Sequence, residues 1–396
     1  MTGRTTPGAD GLPDLAGTLY LRPGAPVGHN LRSTRRALVG RLSAGQPASV
    51  LPGLLGSLFS LCGQSHRLCS LLALQAAAPG LLPPAPPPGR ALQRETAAEH
   101  VRRIGLDWPR LLLPDESAAA ALADLRNCPW LATRADAPTP WAEALDWLQA
   151  RWLHMAPDTW LRLWRSDGAD WLRAWSERHD GWLARLLHAA RPADVALDLN
   201  AVPALRPHGP QGDPYALGRE LAGHDTEPAT LEWQGQPAHT GSWTRLRDAA
   251  TSMPASAWAL LGGRIAELVR LSLPDDPAQA GAGWLHWGAR PLGPGQALAW
   301  VEMARGLLIH YVQLDGVADG ESRVAACQVL APTDWNFHPR GVAARALAHL
   351  PADNAHEPGP HVRLLMAALD PCVPFHLDDD AAAPTRAPAA METDHA

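Results

Sequence analysis

Between about residue 95 and residue 195 tryptophan recurs at a helical period, with Trp164, Trp171, Trp175 and Trp182 spaced 7, 4 and 7 apart. Those intervals return a side chain to one face of an α-helix, so the stretch predicts a helical body carrying an aromatic stripe. Such a stripe serves either a packed core or a partner surface, and the core is the expected use. With 396 residues, 46% of them hydrophobic, the chain can bury a large core as one big domain or two ordinary ones.

The flanking segments differ in pattern. LYLRP near the amino end reads as a strand, and the last part of VLPGLLGSLFSLCGQSHRLCSLLALQAAA is long and apolar enough for a buried helix. PGLLPPAPPPG, residues 79–89, then forms a stiff connector. Residues 196–256 are dense in Pro, Gly and His and predict loops around short elements. AWALLGGRIAELVRLSL predicts a helix, and the runs LLIHYVQL and RVAACQVL predict buried strands joined after an Asp-Gly turn. The residues after Asp380 form an Ala/Pro tail expected to be disordered, so residues 379–396 are set apart from one domain spanning 1–378, whose C-terminal motif region is 284–378. The fold class expected is mainly α with a small β element.

Net charge is −6 with pI about 6.3, and no basic stripe is interleaved with aromatics, which argues against a nucleic-acid partner. All 34 basic residues are Arg, a bias that reflects a GC-rich genome rather than a mechanism. MTGRTTPGADGLPDL has no apolar core of signal-peptide type, and no window of about 18 apolar residues suits membrane insertion. A cytoplasmic location is therefore expected. Five cysteines, at 62, 69, 128, 327 and 372, are expected as reduced thiols available as ligands.

Cys62, Ser65, His66 and Cys69 fall at i, i+3, i+4 and i+7, one stripe if the stretch is helical. That face suits a metal, and equally suits small core residues around a satisfied imidazole. In ALDPCVPFHLDD, residues 368–379, Asp-Pro-Cys presents Cys372 rigidly, with no sequence neighbour able to serve as the base for nucleophilic catalysis.

Taken in order, Cys-Gly at 62–63, VEMARGLLIH (301–310), LDG (314–316), APTDWNFHPRG (331–341) and LDPC (369–372) resemble the large subunit of nickel-iron hydrogenases. That family carries an early CGxC, then E-x-x-R-G-x-x-x-H, P-T-x-W-N-x-x-P and a terminal DPCxxC. The resemblance implies a large-subunit-like fold, reduced in size, with the two ends of the chain meeting at the site. It implies a pocket in which Arg305 overhangs diatomic ligands while Pro332 and Thr333 contact a cyanide. Apart from the resemblance, Arg305 could pair with a carboxylate such as Glu302, and Thr333 could bond the backbone; His310 and His338 are expected in the core or supporting the site.

Departures from the family pattern narrow this. Ser65 and Phe375 stand where the family has its bridging cysteines, Asp378 stands where it has the histidine of the maturation cleavage site, and RSTRRALVGR lacks its proton-relay glutamate. Nickel, which needs about four soft or borderline donors, is not expected. Cys62 and Cys372 remain as ligand candidates, matching the family's nickel-only positions, so iron would sit displaced toward them or Cys69 would take part.

Among relatives, the sequence resembles the HupK/HoxV-type hydrogenase accessory proteins, including the DPCVPF end without a second cysteine. That resemblance implies a non-enzymatic maturation scaffold holding an iron group with cyanide and carbonyl ligands before transfer to a hydrogenase large subunit. Its implied partners are that subunit and maturation proteins of HypC-type chaperone and HypD-type kinds. A metal-free chaperone or decoy and a working hydrogenase subunit are the alternatives.

Overall fold

The computed structural model describes residues 17–83, 89–113, 118–132, 141–222, 232–248, 253–274, 283–316, 322–352 and 357–378. Part of the proline connector and the tail 379–396 lie outside them. The described chain is mainly helical, with seven strands in two small sheets. One hydrophobic cluster takes side chains from Leu19 through Leu377.

The tryptophan stripe does not run along one helix. It is divided among Pro157–Asp167, Ala169–Arg178 and Trp182–Ala190. Gly168, at φ +54 and ψ −123, donates its N–H to the carbonyl of Trp164 and ends the first helix in a conformation that residues with a Cβ rarely adopt. An extended break at His179 ends the second. The core role holds fully for two of the four rings, since Trp164 and Trp171 are half-buried against the core. Trp160, Trp175 and Trp182 are buried, and edge-to-face contacts join Trp160 to Trp175 at 5.9 Å and Trp152 to Trp182 at 5.5 Å.

Ala257–Ser272 is the central helix, started by Ser256, whose hydroxyl accepts the N–H of Ala259. It is buried on almost every side and packs on Gly89–Arg102, Pro157–Asp167 and Pro360–Leu369. Arg264 and Glu267 are carried into the interior on it.

β3 (Trp287–Gly293), β4 (Gln296–Met303), β5 (Gly306–Asp315) and β6 (Arg323–Leu330) form an antiparallel meander, the order expected of hairpin-connected strands. The helix Gly63–Ala77 covers one face of β3, β4 and β5. The second sheet is built from distant ends. β1 (Leu19–Leu21) pairs antiparallel with β2 (Leu31–Ser33) and parallel with β7 (Phe375–Leu377), in register Leu19 to Phe375 and Leu21 to Leu377. Arg35 follows β2 and Cys372 precedes β7, so this sheet brings the two residues together.

Candidate functional site

Cys372 is set by a helix end. Pro360–Leu369 stops at Asp370, whose φ of +54 is left-handed, a conformation Asp tolerates better than most residues with a Cβ. Pro371 prevents continuation. The Cys372 sulfur then lies 2.8 Å from Nη1 of Arg35 and 3.1 Å from Oγ1 of Thr333, which also accepts the Cys372 backbone N–H at 3.2 Å. Arg35 is anchored by Asp334, with Nε 3.1 Å from Oδ1. Burial works against the Arg35 charge, but Asp334 and Cys372 outweigh it and hold the proton more firmly than usual. Asp334 is fixed in turn at the start of Pro332–Asn336, accepting the N–H of Ala331 at 2.8 Å.

Cys62 enters from another direction, immediately ahead of Gly63–Ala77 rather than inside it. The free N–H groups of Gln64 and Ser65 at that helix start donate to the Glu95 carboxylate at 2.7 and 2.8 Å, and the Ser65 hydroxyl donates to it as well. Partial burial, reinforced by Glu95, Cys372 and Glu99 and opposed by Arg305, pushes the Cys62 thiol up to about 12. Cys62, Cys372 and Arg305 thus share one electrostatic neighbourhood.

Arg305 occupies a two-residue turn, Ala304-Arg305, between the paired Met303 of β4 and Gly306 of β5. Gly306 has φ +137, and a Cβ there would lie 2.6 Å from the Thr240 side chain, so only glycine lets the turn seat. The guanidinium is 3% exposed. Its Nη1 lies 3.3 Å from Glu99 and its Nε 3.5 Å from Asp370, while Nη2 has no hydrogen-bond partner among the described residues. The carboxylate it meets is therefore not Glu302, which receives the N–H of His286 at 2.8 Å and faces His208.

Beneath the site lies a chain of buried charges. Asp370 meets Arg103 at 2.7 Å, Arg264 at 3.0 Å and Arg305 at 3.5 Å. Burial alone would raise its carboxyl, but the three guanidinia hold it below the ordinary range. Arg264 reaches His100 at 3.3 Å, His100 meets Glu267 at 2.7 Å, and Arg245 grips both oxygens of Glu267 at 2.6 and 2.9 Å.

The stripe from Cys62 to Cys69 is not one ligand face. Ser65 turns to Glu95, and His66 meets His310 at 3.1 Å with Phe59 stacked on it at 3.8 Å. Cys69 is fully buried on the sheet side, beside the His310 backbone and Cys327. Among the described residues no three His, Cys, Asp or Glu side chains converge as a metal site. Pro332 and Thr333 are buried at the first turn of their helix, with Thr333 beside Cys372; His310 and His338 are buried. Arg35, Glu95, Glu99 and Asp334 were not singled out in the sequence.

Four of the motifs, those carrying Cys62, Arg305, Thr333 and Cys372, thus lie in one region. The hydrogenase expression/formation protein HoxV of Cupriavidus necator is 40% identical over 375 residues, covering 92% of this chain and 96% of the relative. The chain belongs to the family of hydrogenase expression/formation proteins that includes HoxV and HupK. HupK of Bradyrhizobium diazoefficiens, another member, is 33% identical over 348 residues, covering 85% and 89%. No family model matches the chain. Among solved structures, the nickel-iron-selenium hydrogenase of D. vulgaris Hildenborough is similar over 90% of this chain and 93% of that one, with a TM-score of 0.49 and 14% identity. Within the described residues no helix is long and apolar enough to cross a membrane.

Proposed function

We propose that this protein acts in hydrogenase formation as a scaffold, holding iron with cyanide and carbonyl ligands as cargo between Cys62 and Cys372 until it passes to a hydrogenase large subunit. The observation that carries the reading is Nη2 of Arg305: a cationic N–H group, buried and without a partner among the described residues, in the neighbourhood of two half-buried thiols. An unpaired buried donor is costly, and a cyanide nitrogen is an anionic acceptor suited to it. Arg35 supports the same reading, because its guanidinium, 2.8 Å from the Cys372 sulfur, fixes a positive charge and a hydrogen-bond donor beside the candidate ligand.

Two protein sulfurs grip iron less firmly than four, which favours release to an acceptor with more. Ser65 donates to Glu95 and Phe375 lies in β7, so neither offers a bridging thiolate. This disfavours a catalytic hydrogenase subunit. The maturation partners would be a HypC-type chaperone, a HypD-type protein and the large subunit itself.

Protein purified anaerobically from a hydrogenase-producing host is expected to show infrared bands of metal-bound cyanide and carbonyl. Cys62→Ser with Cys372→Ser should abolish the bands and hydrogenase formation together. A metal-free decoy would support hydrogenase formation with both cysteines changed, and that outcome would sink the scaffold reading.

A further inference from the structure

On the far side of the central helix is a cavity of about 370 Å³, within the range of small-molecule sites. Trp164, Trp243 and Trp284 supply aromatic surfaces, Met253 and Ala259 apolar ones, and Gly263 and Glu267 line it from the central helix. Its exposed rim carries Arg165, Asp167 and Asp170, and Arg270 lies over the Trp284 ring at 5.2 Å, whereas its buried polar side chains are almost all committed. Nε1 of Trp243 donates to His239 at 3.0 Å, and Nε1 of Trp284 donates to Glu267 at 3.1 Å, which fixes both indoles. The Glu267 oxygens also take Arg245 and His100, leaving that carboxylate saturated rather than poised to bind a cation.

The exception is Ser242. It is 7% exposed, lines the cavity, and its hydroxyl has no partner among the described residues. A buried hydroxyl without a partner carries a desolvation cost that a ligand can remove. Gly263 keeps the adjoining space open. A Cβ there would lie 3.9 Å from both the Ser242 hydroxyl and the Trp164 ring, in ordinary contact, so a larger side chain would extend into the cavity rather than collide with its wall.

We propose that this cavity is a binding site for a planar aromatic or heteroaromatic molecule of about two fused rings, stacked among the indoles and exchanging one hydrogen bond with Ser242. Fixed aromatic faces select flatness. Saturation of Glu267 disfavours a cation against that carboxylate, and the Ser242 hydroxyl rewards a single hydroxyl or ring nitrogen. This site is distinct from the Cys62 and Cys372 region, and nothing in its recognition requires metal.

The full-length protein is titrated with 2-naphthol, followed by the change in naphthol fluorescence, with naphthalene as the reference lacking a hydroxyl. Saturable one-to-one binding of 2-naphthol is expected, tighter than naphthalene by about three- to ten-fold, the worth of one neutral hydrogen bond. Ser242→Ala should erase that preference while leaving naphthalene binding unchanged. Gly263→Leu should weaken both ligands at least about ten-fold by filling the space. Absence of saturable binding, or a Ser242→Ala protein that still prefers 2-naphthol, would overturn the proposal. So would a folded Gly263→Leu protein that binds as before; if that variant fails to fold, the Ser242→Ala comparison decides.

Discussion

Asp370→Asn isolates the charge on which the site rests. The Asp370 carboxylate, 3% exposed, faces three guanidinia at 2.7, 3.0 and 3.5 Å. At an effective dielectric of about 20, each contact is worth roughly 5–6 kcal/mol before desolvation is subtracted, and desolvation removes most of that gross sum. Without the carboxylate, Arg103 keeps Asp107 at 2.8 Å and Arg305 keeps Glu99 at 3.3 Å. Arg264 keeps only the His100 imidazole, whose protonated form burial disfavours. One buried guanidinium thus loses its counter-charge, for which a loss of about 3–5 kcal/mol is expected. Urea unfolding followed by tryptophan fluorescence at pH 7.5 measures it. Adding Arg264→Met should restore about 1 kcal/mol or more, because it removes the uncompensated charge. The reasoning fails if Asp370→Asn lies within about 1 kcal/mol of wild type, or if the second substitution deepens the loss.

Stability should fall between pH 7.5 and 5.5. Burial lowers His310 to about 3 and His239 to about 4, and drives His66 well below its ordinary value with the help of His310 and Arg35. The unfolded chain takes up these protons below about 6.5 while the folded one does not, so each histidine removes about 1.4 kcal/mol by pH 5.5, and the three together about 4; equal urea midpoints at the two pH values would refute this. Gly306→Ala should cost about 1–3 kcal/mol in the same assay through its φ of +137 and the Thr240 contact, and should lower retained iron because Arg305 is displaced. Cys69→Ala should lower the unfolding midpoint and leave iron per protein, measured by mass spectrometry, unchanged, since Cys69 lies in the core beside Cys327. Arg35→Leu should lower iron retention without loss of fold, checked by the same metal analysis with circular dichroism.

The sequence was most legible where pattern repeats locally. LLIHYVQL and RVAACQVL are apolar runs bounded by polar or turn residues, and they are the cores of β5 and β6. The tryptophan spacing marked core residues but not helix breaks, because a period of 3.6 survives short interruptions such as Gly168. The electrostatic neighbourhood shared by Cys62, Cys372 and Arg305 was foreshadowed only by ordered family motifs, since spacing carries no information about partners hundreds of residues apart. Arg35 and Cys372 are 337 positions apart, and nothing near Arg35 marks it as a sulfur's neighbour. Glu95 was hidden for a related reason. It caps a helix 30 residues away, filling the place an N-terminal Ser or Asp would mark in sequence. The split of the Cys62 to Cys69 stripe follows from where the helix begins, which an i, i+3, i+4, i+7 count does not fix.

The most direct test of the iron scaffold is X-ray absorption at the iron edge, on protein isolated without oxygen from cells making hydrogenase. The account predicts low-atomic-number diatomic ligands with two sulfur neighbours per iron, falling to one in either Cys62→Ser or Cys372→Ser. Iron with no sulfur neighbours, or a sulfur count unchanged by both substitutions, would contradict it.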